Sequence, residues 1–260
     1  MLRVALITGG ASGIGFATAK SLSSKGWKVV IADINPAGEQ IARDINGVFH
    51  KTNVGDYANL ATTFEKVWKQ FEQLDFVFAN AGIVENLEFY QRYQTDLPPS
   101  LDMTIVDINL KSVVATCYLA LHFLRRNKTP GGNIIITSSC GGVYPIAYLP
   151  MYASAKHGCV GLTRSLAKAT PKLGIRVNCI CPASVGTGLL KPEEWDEVGR
   201  HEFTPVERVV GTVESILEDG SVNGAAVEII QDRRFTRPTP EHWDPAMKRV
   251  IDRTEAMAKL

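Results

Sequence analysis

The chain has 260 residues, 45% hydrophobic and 21% charged, with 22 Gly and 13 Pro, a composition that excludes disorder, collagen-like repeats and coiled coil. Lys plus Arg (28) against Asp plus Glu (27) leaves a formal net charge of +1, too weak a field to draw nucleic acid or an anionic membrane. The five Cys, of which only Cys179 and Cys181 are close together, in a C-x-C expected to send its two side chains to opposite faces of a strand, are expected as buried or free thiols of a reduced, cytoplasmic protein.

Structure is expected to begin at once. Val4-Ala5-Leu6-Ile7 reads as a first strand buried on both faces, ended by Gly9 and Gly10, which leaves no room for a signal peptide. Helical spacing follows over 16–22, and further strands are expected over 28–33, 47–54, 74–80, 132–138 and 175–180, with helical segments between them. This alternation predicts an α/β protein, a doubly wound parallel sheet with helices on both faces, in a single domain. Residues 1–231 form that domain, and 232–260 are expected as a partly helical extension. Two stretches break the rhythm, 84–100, where Pro98-Pro99 is expected to start the next helix, and the tail after Gln231. No apolar run approaches the roughly 18 residues that span a bilayer.

Thr8-Gly9-Gly10-Ala11-Ser12-Gly13-Ile14-Gly15 lies between the first strand and the first helix. Glycines there let the backbone approach a pyrophosphate, whose charge sits against unpaired N–H groups at a helix N-terminus. A tight β-to-α turn is the plainer alternative. Asp33 ends the second strand eighteen residues after Gly15, near the separation at which a carboxylate meets an adenosine ribose. Neither the loop nor the residue after Asp33 offers a Lys or Arg to neutralise a 2′-phosphate, which favours NAD over NADP.

Tyr152-Ala153-Ser154-Ala155-Lys156 opens a long helix reaching about Ala169. Its phenol and ammonium, at i and i+4, share a helix face, although a surface pair would show the same spacing. Making a phenol a base near neutral pH requires about three pKa units of depression, and cationic neighbours act in that direction. The fifth strand runs into Ser139-Cys140-Gly141-Gly142, which puts Ser139 at the carboxyl edge where ligands of open parallel sheets bind. Its hydroxyl can orient a substrate oxygen. None of the five His stands in a recognisable Ser-His-acid pattern, and no metal site is expected.

Together the loop Thr8 to Gly15, Asn80-Ala81-Gly82, Asn109, Ser139, and Tyr152 with Lys156 resemble the short-chain dehydrogenase/reductase family over about residues 3–230. The resemblance implies a Rossmann fold and hydride transfer between a nicotinamide cofactor, NAD, and a small-molecule secondary alcohol or ketone. It implies Tyr152 as acid/base, Ser139 on the reacting oxygen, Lys156 on the nicotinamide ribose and lowering the Tyr152 pKa, and Asn109 anchoring a water that relays protons. Asn109 also reads as a residue that caps or bends its helix. By the same likeness Gly9, Ser12, Gly13, Ile14 and Gly15 surround the phosphates and Asp33 meets the ribose. Asn53 and Val54 meet the adenine, Asn80 and Ala81 the second ribose side, and Val185 and Thr187 the carboxamide. A homodimer or homotetramer built on residues 109–124 and 152–169 is implied as well.

Three departures stand out: Asn53 where the family has Asp, Ala183 where Gly follows Pro182, and Gln231-Asp232-Arg233-Arg234 in place of a Gly pair. Ala183 is strained if its backbone needs φ > 0. Val143, Tyr144, Ile146, Ala147, Tyr148, Leu149, Met151 and Leu189-Leu190 are expected to rim an apolar pocket for a bulky lipid-like, polycyclic or secondary-metabolite-like substrate, or else to be core. Asp33 and the ending Glu218 to Gly224 look most like NAD-linked hydroxyprostaglandin dehydrogenase relatives. The rival readings are an NADP-dependent carbonyl reductase and a non-catalytic NAD-binding redox sensor. A sensor has no use for Ser139, Tyr152 and Lys156 together.

Overall fold

Val4, Ala5, Leu6 and Ile7 are fully buried, and they form the centre of the sheet. β1 (Arg3–Thr8) pairs in parallel with β2 (Trp27–Asp33) on one side and β4 (Phe76–Ala79) on the other. Successive side chains leave opposite faces, so Val4 and Leu6 enter one core and Ala5 and Ile7 the other. The computed structural model describes residues 2–84, 87–187 and 203–255.

β3 (Val48–Lys51) lies outside β2, while β5 (Gly132–Thr137), β6 (Ile175–Pro182), β7 (Ala226–Ile230) and β8 (Arg233–Arg237) extend the other side, giving the order β3-β2-β1-β4-β5-β6-β7-β8. All pairings are parallel except the last. Ile134, Ile135 and Ile136 of β5 are fully buried, each stabilising the fold by about 2–3 kcal/mol. Helix α1 (Gly13–Ser24) flanks the sheet and α2 (Gly38–Asp44) follows β2. On the other face lie α3 (Tyr57–Phe71), α4 (Thr104–Leu124) and α5 (Pro150–Ala169), with Phe64 of α3 and Phe123 of α4 stacked at 5.7 Å. α6 (Val206–Glu218) packs beside α1, and α7 (Pro245–Glu255) is exposed along its length. The carboxyl ends of β1 and β4 meet where the strand order reverses, the place at which such sheets leave a crevice.

The structure corrects several expectations. The third strand stops at Lys51 rather than running to residue 54: the Thr52 amide makes the last ladder bond, to the Asp33 carbonyl at 2.8 Å, and the Asn53 amide then donates to Asn59 Oδ1 of α3. The helix expected to begin at Pro98-Pro99 begins at Thr104, where the Asp102 carboxylate accepts both its amide and its hydroxyl. That helix, 21 residues long, meets the length and composition of a membrane span, which the sequence reading did not allow for; it packs as a core helix through Val113, Cys117, Ala120 and Leu124. Cys179 and Cys181 share one face of β6, as residues two apart do, and their thiols are hydrogen-bonded. All five cysteines are free thiols. Beyond β7 the chain turns at Gln231, φ 52, and returns as β8, a strand the reading lacks because Arg233-Arg234-Phe235-Thr236-Arg237 carries no apolar alternation.

Candidate active site

The glycine loop is built for close approach. Gly9 has φ 64, and a Cβ there would lie 2.8 Å from the Ala81 Cα; one on Gly15 would lie 2.1 Å from the Gly9 carbonyl oxygen. Only glycine lets α1 close this tightly on the loop. Ser12 opens α1 in extended conformation with its hydroxyl making no capping bond, so neither it nor the first-turn N–H groups is used up by a side-chain cap. Gly13 has φ 50, and a Cβ there would meet Thr187 at 3.2 Å, which brings the segment after β6 onto the loop. Val185 beside it is buried. A cradle that a Cβ would fill, lined with helix N-terminal donors, fits the pyrophosphate of a dinucleotide.

Asp33 does more than end a strand. Its Oδ2 accepts from the Ala11 amide and its Oδ1 from the Asn35 amide, both at 2.9 Å, so the carboxylate clips the loop to β2. Asn53 Oδ1 accepts from the Gly55 amide at 3.0 Å, and Val54 is buried beneath it. The Asn80 side chain is turned inward: Nδ2 donates to the Thr8 and Gly9 carbonyls at 3.1 and 3.2 Å, and Oδ1 accepts from the Thr137 hydroxyl at 3.0 Å. It laces β1, β4 and β5 together. Ala183 is not among the left-handed residues Asn46, Glu72 and Gln231, so the strain expected from a missing glycine is absent.

Ser139, Tyr152, Lys156 and Asn109 converge beyond the ends of β4 and β5. Pro150 starts α5 with its ring in the first turn, where its missing N–H costs nothing. This places Tyr152 and Lys156 one turn apart on one face, with Lys156 Nζ 5.6 Å from the phenol ring centroid. The Ser139 hydroxyl is hydrogen-bonded to the Tyr152 phenol and accepts from the Gly141 amide at 3.1 Å. Lys156 is 3% exposed and donates to the Thr137 carbonyl at 2.8 Å. Burial lowers its pKa. Asn109 lies fully buried in a π turn, Asp107–Lys111, within α4, and exchanges two hydrogen bonds with the Ile83 backbone, 2.9 and 2.7 Å. The Cys159 thiol donates to its carbonyl at 3.2 Å. A Cβ on Gly82 would lie 3.1 Å from Asn109 Oδ1 and 3.5 Å from Lys156 Nζ, so that glycine keeps the passage between them open.

The Tyr152 pKa departs from the expectation. Burial pushes it up to about 12, and the Ser139 hydrogen bond offsets only part of that. With protein groups alone, desolvation outweighs that hydrogen bond and the nearby Cys140 and Cys159 push the same way as desolvation, so the phenol is held as an acid.

Among the expected rim residues, Leu149 and Met151 are core at 7% and 9% exposure, while Tyr144 and Tyr148 stand open at 43% and 55%. Leu189 and Leu190 lie outside the described residues. Two contacts were not foreseen: the Tyr90 hydroxyl donates to the Ala147 carbonyl at 2.6 Å, and that of Tyr144 to Glu228. Each joins segments more than fifty residues apart, with no sequence signal to pair them.

Residues 3–197 match the pattern of the short chain dehydrogenase family. The chain is 36% identical to the short-chain dehydrogenase/reductase prx7 of Penicillium rubens over 270 aligned positions, covering 93% of this chain and 96% of that protein. It is 34% identical to the 15-hydroxyprostaglandin dehydrogenase (NAD(+)) of Homo sapiens, covering 87% of this chain and 90% of the relative. The crystal structure of levodione reductase superposes with a TM-score of 0.73 at 30% identity, covering 88% of this chain and 96% of that one. The chain therefore belongs to the short-chain dehydrogenase/reductase family, oxidoreductases that use a nicotinamide cofactor on alcohol and ketone groups.

Proposed function

We propose that this enzyme uses NAD(H) and acts on the secondary alcohol or ketone of a bulky, largely apolar small molecule. The observation that carries the reading is the Ser139–Tyr152 hydrogen bond at the strand-end crevice, with the buried Lys156 beneath it. A phenol and a hydroxyl joined in this way can share one substrate oxygen, Ser139 orienting it and Tyr152 exchanging its proton.

When bound, the dinucleotide supplies the two-electron hydride acceptor or donor. Gly9, Ser12, Gly13, Ile14 and Gly15 hold its phosphates. Asp33, Asn53 and Val54 would serve the adenosine end, Asn80 and Ala81 the second ribose side, and Val185 and Thr187 the carboxamide. Lys156 would hold the nicotinamide ribose, and Tyr152 beside it would meet a positive charge that favours its phenolate. In oxidation Tyr152 takes the substrate hydroxyl proton; in reduction it returns one. Asn109, held by Ile83, lies on the route by which that proton leaves through Lys156.

Asp33 supports NAD over NADP, because its carboxylate repels a 2′-phosphate, and the NAD-linked human relative agrees with it. The exposed Tyr144 and Tyr148 support an apolar substrate wall. Outward-facing Val114 and Tyr118 on α4, 43% and 65% exposed, support a homodimer or homotetramer, and five free thiols support a cytoplasmic setting. A spectrophotometric screen of secondary alcohols and ketones against NAD(H) and NADP(H) tests the reading. Turnover only with NADP(H), or dinucleotide binding with no turnover of any alcohol or ketone, overturns it.

A further inference from the structure

β8 lies at the sheet edge away from the glycine loop, yet its side chains reach the loop that follows Ser139. Across the β7–β8 pairing Arg237 stands opposite Ala226 and Phe235 opposite Glu228, so Arg237 and Glu228 project from the same face of the sheet. Arg237 Nη1 is 3.4 Å from Glu228 Oε2, and the guanidinium lies 5.3 Å from the centre of the Tyr144 ring. The Tyr144 hydroxyl donates to the same carboxylate, 3.2 and 3.3 Å from its two oxygens. The Glu228 side chain is only 12% exposed. A carboxylate so placed is costly unless paired, and both of its partners come from segments that bear on the site.

Tyr144 belongs to the segment that covers the catalytic phenol. A Cβ on Gly141 would lie 3.4 Å from Tyr152 Cε1 and 2.7 Å from Ile146 Cδ1, so this loop rests directly on the Tyr152 ring. The amides of Gly142, Val143 and Tyr144 are bonded within it at 2.8 to 2.9 Å. Tyr90 holds its far end through the Ala147 carbonyl. At the base, Arg164 of α5 donates to the Pro238 carbonyl just past β8, at 2.9 Å, tying the strand to the helix that carries Tyr152 and Lys156.

We propose that β8 is a working part of the active site: Glu228 and Arg237 are positioning residues that act through Tyr144 to hold residues 141–146 against Tyr152. The strand thereby sets the substrate-side wall, deepening the function proposed above.

Amide hydrogen exchange by mass spectrometry on the full chain tests this without any substrate, so its failure is distinct from failure of the proposed chemistry. Tyr144→Phe removes the hydroxyl bond, Glu228→Gln removes the carboxylate charge that Arg237 meets, and Arg237→Gln removes the ion pair while Arg237→Lys retains it. In the first three variants, amides of 142–149 are expected to exchange about tenfold faster while β1 and β5 keep their protection, with Arg237→Lys close to the parent. Unchanged exchange over 142–149 overturns the proposal. Acceleration spread equally over β1 and β5, or no rescue by lysine, does so as well, since either marks a strand that serves stability alone.

Discussion

The Lys156 ammonium lies 5.6 Å from the centre of the Tyr152 ring and donates to the Thr137 carbonyl at 2.8 Å, so one buried cation serves both the catalytic helix and the end of β5. Both partners are desolvated, and burial moves the pair in opposite senses, Tyr152 up and Lys156 down.

The first prediction concerns Tyr152. Tyr152→Phe is expected to retain NAD binding, read by fluorescence titration, while turnover falls by about 10²-fold or more. Because the folded pKa is raised from 10.0 to about 12, the phenol's contribution to stability is complete below pH 10 and is lost as pH rises through that window. Urea unfolding in mildly and strongly alkaline buffer should therefore show a steeper loss in the parent than in Tyr152→Phe, by up to roughly 3 kcal/mol. Lys156, with its depressed pKa, contributes in the other direction in both proteins. Identical slopes would remove the buried phenol from the account.

Asp33 performs two tasks that substitution can separate. The carboxylate holds the Ala11 and Asn35 amides, and it is the group expected to reject a 2′-phosphate. Asp33→Ala should raise the KM for NAD by about tenfold and move kcat/KM toward NADP. Asp33→Asn keeps an acceptor for one amide and loses the charge, so it should shift the NADP preference with a smaller loss of NAD affinity. Cofactor discrimination that stays the same in both variants would show that another group sets it.

Asn80 gives a sharper ordering. Its amide donates to two carbonyls and accepts from Thr137. Asn80→Ala leaves those partners unpaired, and a loss of about 2–3 kcal/mol in urea unfolding is expected. Asn80→Asp places an acceptor against two acceptors and should be the worse of the two, despite its closer shape. If aspartate proves milder than alanine, the inward orientation of that amide is wrong.

Much of the site was legible along the chain because each piece is a local constraint. The glycines of 9–15 need backbone room within one turn, Tyr152 and Lys156 meet through the helical period, and Ser139 follows an apolar strand whose end can be read directly. Asn80 shows the limit of such reading. Its place after β4 was clear, but the partners of its side chain lie on β1 and β5, and nothing in Asn-Ala-Gly states which way the amide turns.

What the sequence determined by itself was the alternation of buried strands and helices, the phosphate loop, and the residue types able to move a proton. Those follow from periodicity, backbone freedom and side-chain chemistry, all short-range properties. The tertiary structure decided the rest: the raised Tyr152 pKa, the π turn that seats Asn109, and β8 with its reach from Arg237 through Glu228 to Tyr144. Burial and long-range pairing depend on which surfaces meet after folding, so an arginine-rich stretch with no apolar pattern became a sheet strand only because β7 offered it an unpaired edge.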